Sequence, residues 1–395
     1  MARPLAALLL VVLVAVSGCK NLNEKKSNAR GNGTPPQVSA QSSDTSASAE
    51  LGFPVTATRN TTRVAGADAV ADVAGAVSAV FPATSADNRP HAVAIVDKNN
   101  WQGAIAASVL MANPLGVPVL LSDGTSLPPV SRDTLKRLHP GGSPLAENAQ
   151  IIRIGDGSAQ VAGYHTAIVP GTDIYEIAAG IDRFFSVARA KPASDVVVAS
   201  GEQPAFAMPA AAWAARSGDS VLFVKHDVVP AFTRSALKRH SHPNIYVLGP
   251  SSAIGSAVIK TLSKYGTVHR VDGATPVQNA IAFTKYQSHG FGWGITTPGQ
   301  NFTLANISRP ADAAGAAVLA TAGVFAPLLL TDRSDALPTP LDNYFLDVQP
   351  GYQSNPNSGV FNHVWILGDD NTVSVAAQGR LDTITELVPV QTRNP

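Results

Sequence analysis

Apolar positions along this chain fall into short unbroken runs, not into alternating or long helical stripes. Val93-Ala-Ile-Val96, Val196-Val-Val-Ala199 and Phe302-Thr-Leu-Ala305 are three such runs. Each is followed by a second: Pro118-Val-Leu-Leu121, Ser220-Val-Leu-Phe223 and Pro327-Leu-Leu-Leu330. Val93 to Val119, Val196 to Val221 and Phe302 to Leu328 are separated by 26, 25 and 26 residues. Small-residue stretches of helical length lie between them, over Gln102–Met111, Ala205–Arg216 and Ala311–Ala322. A third apolar run closes each unit, Ile151–Ile154, Ile245–Leu248 and Val364–Leu367, and glycine follows each as Gly155, Gly249 and Gly368. One supersecondary unit is thus written three times, with a period of about 105 residues.

Continuous apolar runs alternating with helices predict parallel strands covered on both faces, joined by right-handed crossovers. The fold class is therefore α/β, as three tandem small modules. Each module opens on a glycine turn: Arg63-Val-Ala-Gly66-Ala-Asp68, Val169-Pro-Gly171-Thr-Asp173 and Arg270-Val-Asp-Gly273-Ala-Thr275. An amphipathic helix is predicted after each turn, reaching about Val80, Val187 and Tyr286. Thr172, Asp173 and Thr275 suit helix N-caps, and Pro276 suits a first helical turn. Second helices are predicted over Ser131–Leu138 and Ala231–His240. The polar, aromatic-bearing segment Asn343–Asn362 reads as a surface loop.

The first 52 residues break this pattern. Arg3 precedes an apolar stretch, Leu5 to Val16, too short for a stable membrane anchor. It ends in Val16-Ser17-Gly18-Cys19, which resembles the lipobox of bacterial lipoproteins; Cys19, the one cysteine of the chain, would carry the lipid. A Gly/Pro/Ser/Thr-rich tether follows, with few large apolar residues to build a core. The expected organisation is a signal peptide over 1–18, a tether over 19–52, and modules over 53–168, 169–268 and 269–395. The protein would sit outside the cytoplasmic membrane, held to it by the lipid.

Composition narrows the function. Hydrophobic residues make up 45% and charged residues 14% of 395, which marks a folded chain. The 29 basic and 28 acidic side chains nearly cancel, and that argues against a nucleic-acid partner. No nucleophile elbow, P-loop or His-Glu-x-x-His helix occurs. Gly155-Asp-Gly157 begins like a dinucleotide loop, but Gln160 stands where a third glycine is needed. His240 and His242 could pair on a metal, yet beside Lys238 and Arg239 they read as the solvated end of a helix. His289-Gly-Phe-Gly-Trp-Gly294 reads as a plain loop, with stacking on a sugar ring as the alternative. Ligands of open parallel sheets sit beyond the strand carboxyl ends. That rule selects Asp97, Lys98, Asp123, Asp156, Lys225, His226, Asp332, Arg333, Asp369 and Asp370.

The motifs together resemble the cell wall-binding repeat type 2 family, whose members carry three tandem modules. Its opening Arg-[Ile/Val]-x-Gly is matched by Arg63–Gly66 and Arg270–Gly273, and its central Asp-Ala by Asp312-Ala313. Its Pro-[Leu/Val]-Leu-Leu-[Thr/Ser] is matched by Pro118–Ser122 and Pro327–Thr331, and its aliphatic-Leu-Gly by Val247–Gly249 and Ile366–Gly368. The resemblance implies Toprim-like sheets in a pseudo-threefold arrangement. It also implies a non-enzymatic protein that needs no cofactor or metal and binds an anionic cell-wall polymer or peptidoglycan-associated glycan. Arg63, Arg270 and Asp312 are the candidate ligand-binding residues on that footing, with a structural contact at a module junction as the other role for the arginines. A solute-binding lipoprotein of a transport system and an envelope scaffold without a polymer ligand are the alternatives.

Overall fold

The computed structural model describes residues 55–64, 66–321 and 323–390; the expected signal peptide, Cys19 and the expected tether lie outside the described residues. Three parallel sheets share one strand order. The first runs Val119–Ser122, Val93–Asp97, Ile151–Ile154, Thr166–Val169. The second runs Ser220–Val224, Asp195–Ser200, Asn244–Leu248, Thr267–Val271. The third runs Leu328–Thr331, Asn301–Asn306, His363–Leu367, Thr61–Val64. Its last strand comes from the opposite end of the chain and is extended by the antiparallel Val55–Ala57. The three apolar runs of each repeat are thus strands, as their pattern predicts. The fourth strands are an addition: Arg63, Val169 and Arg270 lie on strands, not in turns.

Each fourth strand feeds the helix that covers the next sheet. These helices are Ala69–Val80, Ile174–Ala188 and Pro276–Lys285, and they pack on Val119–Ser122, Ser220–Val224 and Leu328–Thr331 respectively. Their starts are capped by side chains: Asp68 accepts from Ala71 N–H, Asp173 from Tyr175 and Glu176, and Thr275 from Gln278. Because Thr61–Val64 completes the third sheet and then leads into the first module, the N-terminal segment closes the chain on itself.

The small-residue helices, Trp101–Ala107, Pro209–Ser217 and Ala313–Leu319, meet pairwise in all three combinations. Ala104, Ala210, Ala211, Ala214, Ala313, Ala314 and Ala317 are buried there. Short side chains let these helices approach closely, and one continuous apolar core runs through parts of all three modules.

Two local expectations, and the sugar-stacking alternative for the loop at 289–294, need correction. Part of Asn343–Asn362 is helix, Thr339–Asp347, because Leu341, Tyr344 and Phe345 fall at helical spacing and bury one face. The loop at 289–294 is no free aromatic platform: Phe291 is buried and stacks on Tyr246, with ring centroids 3.5 Å apart. His240 is not solvated; it lies buried between Asp182 and the Ala193 carbonyl, at 2.9 and 2.8 Å.

Candidate functional sites at the sheet edges

The carboxyl edge of each sheet is built from three pieces: the end of its second-listed strand, the loop after the glycine of the third, and the glycine turn beyond the fourth. In the third sheet these pieces are tied together by arginine. Arg63 is buried on Thr61–Val64, and its guanidinium donates to the Gly368 carbonyl at 2.9 Å, the Val373 carbonyl at 2.6 Å and Gln378 Oε1 at 2.9 Å. Asp370 lies 3.7 Å away on the solvent side. Burial works against the charge and lowers the Arg63 pKa, while Asp370, Asp369 and Asp72 oppose the shift.

Arg270 makes the matching contacts in the second sheet, donating to the Gly249 carbonyl and, at 2.8 Å, to the Ile254 carbonyl. In the first sheet Ile168 stands at this position. Arg153, its register partner on the neighbouring strand, reaches the same kind of loop and donates to the Ser158 carbonyl at 2.7 Å. A guanidinium therefore reaches the glycine loop in every sheet, even where the sequence motif is lost.

Asp312 lies deeper at the third edge, fully buried with Asp72. Arg309 organises this cluster: it donates to Asp72 Oδ2 at 3.0 Å, Asp369 Oδ1 at 3.2 Å and the Gly66 and Ala67 carbonyls at 3.1 and 3.0 Å. Gly66 N–H donates to Asp72 Oδ1 at 2.8 Å. A Cβ on Gly66 would stand 2.4 Å from the Asp72 backbone nitrogen, so only glycine fits the approach. Burial pushes the Asp72 carboxyl up to about 7, against the pull of Gly66 N–H and Arg309. Burial, reinforced by Asp72, holds Asp312 well above the usual carboxylate range. Among the described residues the Asp312 oxygens meet no hydrogen-bond donor. A proton shared between the two carboxyls would supply the missing donor.

The same positions are built differently elsewhere. Gly273 N–H donates to Asn279 Oδ1 at 3.2 Å, so Asn279 takes the place of Asp72. In the first sheet Ile177 and Asn100 stand where Asp72 and Arg309 stand in the third, and the space stays open. This cleft holds about 290 Å³ and is lined by Asp97, Asn99, Asn100, Gln102, Ser158 and Thr172 with Ile174 and Ile177 behind them. Lys98 pairs with Asp123 at 2.9 Å nearby. At the second edge, Glu202 accepts from His226 N–H at 2.9 Å, and His226 Nδ1 pairs with Asp227 at 2.9 Å.

Of the three motif residues, Arg63 and Asp312 thus belong to one edge and Arg270 to another. Arg309 and Asp72 escaped the sequence reading; the signal for Asp72 was a carboxylate on the buried face of an otherwise apolar helix. Among the described residues no group of three His, Cys, Asp or Glu side chains could hold a metal ion, and no helix is long and apolar enough to cross a membrane.

The comparisons agree with this architecture. Residues 169–259 match the family model "Cell wall binding domain 2 (CWB2)". Cwp6 from Clostridium difficile superposes with a TM-score of 0.63 at 18% identity, over 85% of this chain and 51% of its own. Cwp8 from Clostridium difficile gives 0.62 at 18%, over 83% and 52%. The chain therefore spans about half the length of either protein and shares their fold. No curated protein matches it. Over residues 169–259 the chain is similar to the family that its motifs resemble, and that resemblance is borne out.

Proposed function

We propose that this chain is a non-enzymatic cell-envelope protein that holds an anionic wall polymer through its three modules and is tethered by a lipid on Cys19. The observation that carries the proposal is the match of the second module to a wall-binding family, inside a chain that repeats the same sheet three times. The pairwise meeting of the three small-residue helices supports a pseudo-threefold arrangement of the modules, and with it three outward-facing edges. Repeated weak sites on one body gain by multivalency when one polymer reaches more than one of them.

The edges divide the work. Arg63, Arg270 and Arg153 shape the glycine loops from within, leaving Asp369, Asp370 and the amide-rich first cleft facing outward. Asn99, Asn100, Gln102, Ser158 and Thr172 offer donors and acceptors suited to sugar hydroxyls. Asp312, fully buried, would act on a ligand only through Arg309 and Asp369. A solute-binding lipoprotein would need two lobes about one deep cleft; three like sheets with shallow clefts favour the polymer reading.

Retention of the purified chain on isolated, deproteinated cell walls tests the proposal. Sedimentation with the walls at low ionic strength, released by rising salt, is expected. A chain that stays in the supernatant at low salt would sink wall binding and leave the scaffold role.

A further inference from the structure

We propose that the second module carries, on the edge opposite the glycine loops, a groove for a polyanionic glycan chain; the proposal rests on the wall-binding reading above and names where the charge is met. At the amino edge of the second sheet, two adjoining cavities of about 370 and 330 Å³ share Lys191, Pro192 and Arg239. Arg183 lines one and Arg189 the other, so four cations line the two cavities and no carboxylate does. That concentration is notable in a chain with a net charge of +1.

Two of the cations are held in place. Arg239 donates to the Ala179 carbonyl at 2.8 Å and to Asp182 at 3.0 Å, and the buried Asp182 is gripped in turn by His240. Arg189 donates to the Gly218 carbonyl at 2.8 Å, with its guanidinium 5.5 Å from the Phe185 ring centroid. Fixed guanidiniums lose little freedom on binding an anion, which favours recognition over mere attraction. Among the described residues no ion pair holds Arg183 or Lys191, so their charge is available, while Arg189 shares its field with the buried Asp219. Val187, 71% exposed, and Pro192 add apolar contact of the size of a sugar-ring face. Two joined cavities suit an extended chain better than a single ion.

The other modules lack this feature. Arg137, the counterpart of Arg239, is spent on the Phe81 carbonyl at 2.7 Å and Ser78 Oγ at 2.8 Å, beside the helix Ala69–Val80, which carries no basic residue. In the third module Lys285 pairs with Asp347 at 3.7 Å.

The test compares the wild-type chain, Arg183→Glu/Lys191→Glu, and the control Lys260→Glu/Lys264→Glu, which reverses two exposed lysines of the same module. Arg239 is left intact because its loss would strand buried Asp182. Binding to isolated cell walls and to phosphatidylglycerol vesicles is measured against salt, with thermal melting as the check on folding. Expected is an unchanged melting temperature, wall affinity down by about tenfold in the groove variant, and no change in the control. Equal retention of groove variant and wild type would overturn the groove alone. Equal weakening in the control would reduce it to diffuse charge, and loss confined to vesicles would make it a headgroup site; both overturn it. Absence of wild-type retention would instead remove the wall-binding reading beneath it.

Discussion

The buried pair of Asp72 and Asp312 makes stability depend on pH in an uncommon direction. An ordinary surface carboxylate is held low by its partners, and acid then weakens the fold. Here burial raises Asp72 from 3.8 to about 7 and Asp312 well above the usual range, so the folded protein holds a proton that the unfolded chain has released. Between those values the folded state binds more protons, and stability must fall as pH rises through the folded pKa. The two carboxyls titrate as a pair, and one proton held by that pair is worth about 1.4 kcal/mol for each pH unit between the unfolded and folded values. Arg309 neutralises one carboxylate at 3.0 Å, which leaves Asp312 as the group kept neutral. Asp312→Asn mimics that neutral form and should remove most of the dependence. In urea titrations across roughly pH 5 to 8, wild type should lose on the order of 2–4 kcal/mol relative to the variant, the two agreeing within about 1 kcal/mol at the acid end. Parallel profiles would refute the shared proton. So would a variant about 3–5 kcal/mol less stable at every pH, since that is the mark of a broken buried ion pair.

Three other outcomes follow from the same geometry. Arg63→Met strands two buried carbonyls and Gln378 and should cost about 3 kcal/mol, against about 1–2 kcal/mol for Arg270→Met, read as shifts of the urea midpoint. Ala314→Leu forces a larger side chain between the small-residue helices and should cost about 1–3 kcal/mol, visible as a lower melting temperature. Cys19→Ser should move the protein from the membrane fraction to the soluble one on cell fractionation, because its proposed lipid is then absent.

The three inner strands of each sheet are legible in the sequence because parallel strands covered on both faces read as unbroken apolar runs. The fourth strands carry no such signature. Thr166-Ala-Ile-Val169 and Thr267-Val-His-Arg-Val271 are edge strands with much of their length partly exposed, so their polar positions resemble turns. Nothing local in Thr61-Thr-Arg-Val64 announces that its partner is His363–Leu367. The site was legible as chemistry and not as connection. The motif arginines stood out by recurrence, but their purpose is visible only with the Gly368 and Gly249 carbonyls beside them. Asp72 passes unremarked within an apolar helix, and its role shows only with Arg309, remote in sequence, beside it.

The unequal use of arginine follows from how far apart each sheet's last two strands lie in sequence. Register partners Ile151 and Thr166 are 15 residues apart, Ile245 and Val268 are 23, and Thr61 and Val364 are 303. Bringing the last pair together costs about 2 kcal/mol more in chain entropy than the second, since closure cost grows with the logarithm of loop length. The clamps scale the same way. The first sheet does without an arginine on its fourth strand and borrows Arg153. The second uses a half-buried Arg270 with two carbonyls, and the third a buried Arg63 with three acceptors, reinforced by Arg309 across the same junction. Three hydrogen bonds to a charged donor, at roughly 1.5–3 kcal/mol each, exceed the added closure cost and leave a margin against the cost of burying the guanidinium. The arginine recurring at the head of the repeat is, on this account, first the fastening of a borrowed strand. It is strongest where the strand comes from farthest away.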